Sequence, residues 1–441
     1  MRSLLNSIWA IARHPAFWVP MVFALLLGGS VYHFDFSGAV IGSDGWGYYL
    51  HLPAIFVYGD PHLTFLNLPN LPPDVSHYRF PDGTFQGLSP HGSGYLDKYA
   101  FGPAVLQLPF FLLALAVAHF RHASVNGFEH VFQIGNALTG ALYLGLGSFM
   151  VFRAARLRFD TLPSALMLGI VLATTNLIDY ASADVSFSHV YGYFLLAGLV
   201  YLTVRRVETG TPPPLGEYAL FGLIMGLAVM VRPTNMVYAL LFLVFIRGAP
   251  IKSFAAGTLL ALVVSAVAAS PQMALWWVTT GHFIYYSYTG EGFNFTHPEL
   301  LNYLFSIRKG VFFWHPMYLL LMVALLTQIP GRRFEGTIAL AIVVLGLYVG
   351  ASWGDYSFGD SFGSRQSIEL LPLLMVWSAG AVAKILATPW RWATGVLATV
   401  LVVVNTIYFI GYMDHGLPRN NADAASVQQF WKQTFGITSK S

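Results

Sequence analysis

Residues 18–31 read WVPMVFALLLGGSV, a charge-free apolar run, and just beyond it stands Ser43-Asp44-Gly45-Trp46-Gly47-Tyr48-Tyr49. Comparable runs recur over Val131 to Phe152, Phe254 to Ala269 and Thr337 to Ala351. At about 1.5 Å per residue and about 20 residues per crossing, they have the length of helices that traverse a hydrocarbon layer. Apolar residues make up 56% of the 441 positions and DEKR only 10%, with a mean hydropathy of +0.60. No soluble domain of this size has such a composition. Backbone polar groups in lipid must be satisfied within the segment, so the fold class expected is an all-α polytopic membrane protein.

Charge placement sets the expected topology. Arg153/Arg156/Arg158, Arg205/Arg206, Arg247/Lys252, Arg332/Arg333 and Lys384/Arg391 recur after every second apolar run, as cytoplasmic loops require. Putting them inside gives spans near 16–33, 131–152, 161–178, 187–204, 216–231, 234–247, 254–277, 311–329, 337–353, 368–386 and 392–412, about eleven crossings. Of the 20 acidic residues, only Asp160, Glu208, Glu217 and Glu335 then fall on the cytoplasmic side. The transmembrane domain covers 1–412. It includes a large extracytoplasmic loop, 34–130, whose apolar segments 46–58 and 101–120 read as helices lying along the membrane on either side of a Pro- and Gly-rich stretch. Making 101–120 a full crossing would place Arg153, Arg156 and Arg158 outside. A polar extracytoplasmic tail occupies 413–441.

Arg2 and Arg13 precede the first run and no small-residue cleavage site follows it, so it reads as a retained helix with a cytoplasmic N-terminus. With no cysteine in the chain, disulfides and cysteine-based zinc or redox chemistry are excluded. The net charge of +3 points to no nucleic-acid partner. No internal repeat is visible.

The candidate chemistry lies in the outer loops. Asp44 stands at the end of the first span, beside Gly45 and Gly47, which allow close approach of backbone or ligand, and a carboxylate there can deprotonate a hydroxyl. The plain alternative is an interfacial aspartate within an aromatic belt. Tyr95-Leu96-Asp97-Lys98-Tyr99 precedes the segment 104–118. A lysine at that boundary suits a phosphate, or it simply snorkels toward headgroups. Arg232, in Val231-Arg232-Pro233-Thr234-Asn235, and Arg365, after a Gly/Ser-rich loop, are lone cations suited to an anion, or structural partners of acids such as Asp355, Asp360 or Asp184. His51 and His315 are isolated and read as packing residues. One carboxylate among several lone cations describes a site that activates a hydroxyl while holding an anionic leaving group, which is the requirement of sugar transfer from a lipid phosphate.

In the order of these motifs the chain resembles the GT-C superfamily of integral membrane glycosyltransferases, in particular the branch of protein O-mannosyltransferases and the lipid A aminoarabinose transferase, over roughly residues 1–390. The resemblance implies Asp44 as general base in an inverting displacement. It implies Lys98 and Arg365, with Arg232 as a further member, as ligands of the donor phosphate. The family's two prolines directly after the lysine are absent here, where Lys98 is followed by Tyr99-Ala100-Phe101-Gly102-Pro103. A second acidic position in the next outer loop falls on Asp179 or Asp184, with His189 nearby, and Asp97, Tyr48 and Tyr49 are further candidates for the acceptor side. The mannosyl and aminoarabinosyl branch needs no metal for the chemistry; Asp44, Asp184 and His189 are the candidates were a divalent cation bound.

The function expected is therefore transfer of a sugar from a polyprenyl-phosphate donor to an acceptor hydroxyl of a glycan, lipid or protein, outside the bacterial inner membrane, in cell-envelope glycan biosynthesis. A transporter or flippase of lipid-linked sugars and a non-catalytic polyprenyl-lipid-binding assembly protein are the alternatives. A transporter would place charges near the midplane of both halves, whereas here they gather at the outer loops.

Overall fold

The computed structural model describes residues 9–32, 40–122 and 125–437. Arg2, the first residues of the large loop and the last residues of the tail lie outside the described residues. The chain is mostly helical. Among the described residues, seven helices are long and apolar enough to cross a membrane: Gly102–Phe120, His130–Arg156, His189–Thr209, Ile251–Thr280, Arg333–Ala351, Arg365–Leu386 and Arg391–Met413. Shorter apolar helices cover Pro15–Val31, Thr161–Thr174, Leu215–Val231, Pro233–Phe245 and Met317–Gly331. Proline accounts for two of the shortened elements. Pro233 ends the helix at Val231 and starts a 3-10 stretch, Pro233–Leu240, while Pro316 separates the single turn Val311–Trp314 from Met317–Gln328. A proline has no N–H for the helical ladder.

The chain divides into two compact units interleaved in sequence: 1–150 with 180–291, and 151–179 with 292–441. In the first unit, helices Leu215–Val231 and Ile251–Thr280 run against each other along Gly222 and Gly226. A Cβ would come within 2.2 Å of the Ala261 carbonyl oxygen at the former, and within 2.3 Å of that of Ser265 at the latter. Small residues four apart let two helix backbones touch where no water is available to drive association. Arg206 and Glu217 pair at 2.5 Å, which ties the end of His189–Thr209 to the start of Leu215–Val231. In the second unit Arg158 pairs with Glu335 at 2.7 Å, with only 4% and 11% of the side chains exposed. The two basic loops around these residues therefore share one end of that unit.

The large loop is a folded subdomain. It holds helix Asp44–Phe56, short turns at Thr64–Asn67 and Pro73–Ser76, and an antiparallel hairpin of Leu88–His91 with Gly94–Asp97, which the Pro- and Gly-rich reading of this stretch had not included. Its own apolar core joins Trp46, Tyr49, Leu50 and Leu66 to Phe111 and Ala114 of Gly102–Phe120. Helix Gly102–Phe120 was expected along the membrane surface; in length and composition it equals the crossing helices. It packs on the N-terminal half of His130–Arg156, where the Tyr143 hydroxyl donates to the Leu106 carbonyl at 2.9 Å and Phe111 meets Phe132. The segment after Met413, read as a polar tail, carries helix Ala424–Thr434. Asp423 and Ser426 close its N-terminus with a capping box, and Phe430 lies against Gly411.

Candidate functional site

Asp44 opens helix Asp44–Phe56, where the unpaired backbone N–H groups of the first turn favour a negative charge. The Tyr99 hydroxyl donates to Asp44 Oδ1 at 2.7 Å, and Gln86 Nε2 donates to the same oxygen at 3.0 Å. Tyr48, four residues on and so on the same helix face, packs its ring 4.8 Å from that of Tyr99. Tyr49 is turned into the core of the loop, its hydroxyl donating to the Gly127 carbonyl at 2.7 Å. The room left by the two glycines is filled by protein. A Cβ on Gly45 would lie 1.8 Å from Ser186 Oγ, and one on Gly47 would lie 2.0 Å from the Tyr99 ring.

The hairpin delivers the second motif. Asp97 ends its second strand and is buried, with Oδ1 accepting from the Tyr99 N–H at 2.8 Å and Oδ2 3.7 Å from His51 Nε2. Burial pushes its carboxyl well above the ordinary range and lowers the His51 imidazole to about 4. Both groups favour their neutral forms, so Asp97 braces the turn that carries Lys98 and Tyr99. Lys98 reaches outward. Its ammonium lies 2.5 Å from Glu291 Oε1 and 5.4 and 5.3 Å from the ring centroids of Tyr99 and Tyr288, while its carbonyl accepts from Ser287 Oγ at 2.8 Å.

Arg232 follows the last turn of Leu215–Val231, its backbone extended ahead of Pro233. The Ala228 carbonyl accepts from both the Arg232 N–H and Asn235 Nδ2, each at 3.0 Å, which closes the helix end at the break. Arg232 Nη1 lies 3.2 Å from Ser188 Oγ and 3.4 and 3.3 Å from the two ring nitrogens of His189. His189 is buried against Tyr180 and Phe187, and half-buried Asp184 sits in the turn before it. Tyr288 connects these groups. Its phenol is raised well above the ordinary value by burial, then by Tyr48 and Asp44, while the Arg232 guanidinium opposes the rise. Asp44, Tyr48, Tyr99, Tyr288, Arg232 and Lys98 thus form one polar, tyrosine-lined cluster in the first unit.

The second unit holds a cluster of its own. Arg365 starts the 3-10 turn Arg365–Leu370. Lys309 is completely buried, donates to the Ser361 carbonyl and lies 4.9 Å over the Trp314 ring. Burial lowers its ammonium from 10.5 to about 7, with Arg365 and Arg308 adding to the effect and Asp360 and Asp179 opposing it. Asp179 is fully buried in the turn Asp179–Ser182.

Tyr99, Gln86 and Lys309 are the residues that sequence reasoning missed. Tyr99 had a signal, its place directly after Asp97-Lys98; the other two sit in unpatterned loops. Among the described residues, no group of three or more histidine, aspartate or glutamate side chains could hold a metal ion. The chain matches no known protein family, and no curated protein is significantly similar to it.

Proposed function

We propose that the chain is an inverting membrane glycosyltransferase that moves a sugar from a polyprenyl phosphate to an acceptor hydroxyl, with the Asp44 cluster on the extracytoplasmic side and about eleven crossings as read from the charged loops. Asp44 takes the hydroxyl proton. The freed oxygen attacks the anomeric carbon on the face opposite the phosphate, the carbon–oxygen bond to the phosphate breaks, and the polyprenyl phosphate departs as an anion beside Arg232 and Lys98. The observation that carries this reading is that a carboxylate and a cation meet at one tyrosine pair: Asp44 accepts from the Tyr99 hydroxyl at 2.7 Å, and the Lys98 ammonium lies 5.4 and 5.3 Å from the ring centroids of Tyr99 and Tyr288. An acid able to accept a proton and a cation able to hold a phosphate are what the displacement needs, and the apolar helices supply a surface for the prenyl chain.

The test uses membranes from cells making the protein, supplied with polyprenyl-phosphate mannose or polyprenyl-phosphate aminoarabinose labelled in the sugar. Label should move into an acceptor fraction, and Asp44→Asn should cut that rate by about 100-fold or more, the scale of a lost general base. Label that stays on the prenyl phosphate with all donors, or equal rates in the variant, refutes the reading.

A further inference from the structure

We propose that Tyr99 is a positioning residue for Asp44: its hydroxyl, carried by a ring wedged between Gly47 and Gly87, fixes the plane of the carboxylate. The inference rests on the reading of Asp44 as the proton acceptor. The Tyr99 ring has almost no room to move. A Cβ on Gly47 would come within 2.0 Å of it and one on Gly87 within 2.2 Å, far inside the roughly 3.5–4.0 Å of ordinary carbon contact. Gly87 adopts φ +73°, a conformation in which any other residue would be strained as well.

The backbone of Tyr99 is held as firmly as the ring. Its N–H donates to Asp97 Oδ1, and its carbonyl lies 3.4 Å from His51 Nε2. The buried Asp97 and His51, which the displacement does not use, acquire a purpose as the base on which this tyrosine stands. Burial, and then the Asp44 charge, raise the Tyr99 phenol well above its ordinary value, so the group stays protonated and donates throughout the physiological range. With Gln86 as second donor to the same oxygen, the carboxylate cannot rotate without breaking both bonds. Placement of a reacting group within a few tenths of an ångström is worth large factors in rate.

The test is Tyr99→Phe, which removes one oxygen and keeps the ring. Sugar transfer should fall about tenfold in kcat, the scale of one hydrogen bond to a charged group, with KM for the lipid donor unchanged. The acid limb of the kcat–pH profile should move upward, because an ionised carboxylate loses a donor. Gly47→Ala, which drives a methyl into the ring, should give the same displaced limb, and Tyr95→Phe, whose hydroxyl bonds exposed Asn67, should behave as wild type. A residue that only packs would alter thermal stability and leave the limb in place. Ionisation of Asp44 is also read without turnover, from the carboxylate infrared band that differs between the wild type and Asp44→Asn. A wild type inactive with all donors, yet showing an infrared midpoint raised by Tyr99→Phe, keeps the positioning of Asp44 and removes the glycosyl-transfer reading. Wild-type kcat and an unmoved midpoint in Tyr99→Phe overturn the proposal.

Discussion

The pairing of Lys98 with Glu291 gives the sharpest prediction about the donor phosphate. The ammonium and carboxylate are 2.5 Å apart, and 25% and 42% of the two side chains are exposed. At that separation two unit charges attract by roughly 2 kcal/mol in bulk water and roughly 7 kcal/mol at an effective permittivity of 20. Side-chain ordering and screening bring exposed pairs down to about 0.2–1 kcal/mol net. The bond from Ser287 Oγ to the Lys98 carbonyl orders the loop in advance, which puts this pair near the upper end. A donor phosphate must displace Glu291 to reach the ammonium, so Glu291→Gln should tighten binding by about 1 kcal/mol, or about fivefold. Lys98→Met should weaken it, and the double variant should bind like Lys98→Met alone, since Glu291 then has no cation to compete for. The assay is equilibrium binding of a radiolabelled polyprenyl monophosphate to the protein in detergent, at low and at high salt, where the gain should shrink. If Glu291→Gln weakens binding by the same factor as Lys98→Met, Lys98 serves only to hold the 287–291 loop and the argument for it as a phosphate ligand fails.

Two further outcomes are expected. Arg158→Met should lower unfolding stability in detergent by about 3 kcal/mol, the low end for breaking a buried pair, because Glu335 keeps Arg332 at 3.5 Å; an unchanged midpoint would show that this pair contributes nothing. Lys309 has its proton affinity lowered from 10.5 to about 7 on folding. Between those pH values the unfolded chain binds a proton that the folded one lacks, and stability should rise with pH. In Lys309→Met that rise should flatten, and an identical pH dependence in both proteins would contradict the burial argument.

What could be read from the sequence was governed by length and charge. Runs such as 254–269 fix a helix because nothing else satisfies their backbone in lipid, and the basic loops identify which ends belong together: Arg206 meets Glu217 and Arg158 meets Glu335. The motifs around Asp44 and Lys98 do converge, but the contact is made by Tyr99, because the hairpin turns Asp97 into the interior under a neighbouring histidine. That hairpin was hidden, since Leu88–His91 and Gly94–Asp97 lack the alternation that marks a half-buried strand. Gln86 and Tyr288 stand in segments without periodicity, so only folding brings them to the carboxylate. Lys309 follows Arg308 in an unpatterned loop, and nothing in its sequence neighbours marks it as enclosed. The tail helix was a misjudged length: Val427 and Phe430 have helical spacing, but eleven residues are too few to stand out in a polar stretch.

The interleaving of the two units bears on biogenesis. Residues 151–179 leave the ribosome early, yet their partners begin only at residue 292. At about 5–20 residues per second, helix Thr161–Thr174 in this segment waits several seconds or longer in the translocon or bilayer before its companions in the second unit have been synthesised. A nascent chain arrested after Glu291 should therefore contain an assembled first unit and an orphaned early helix, the form most exposed to membrane chaperones and quality-control proteases.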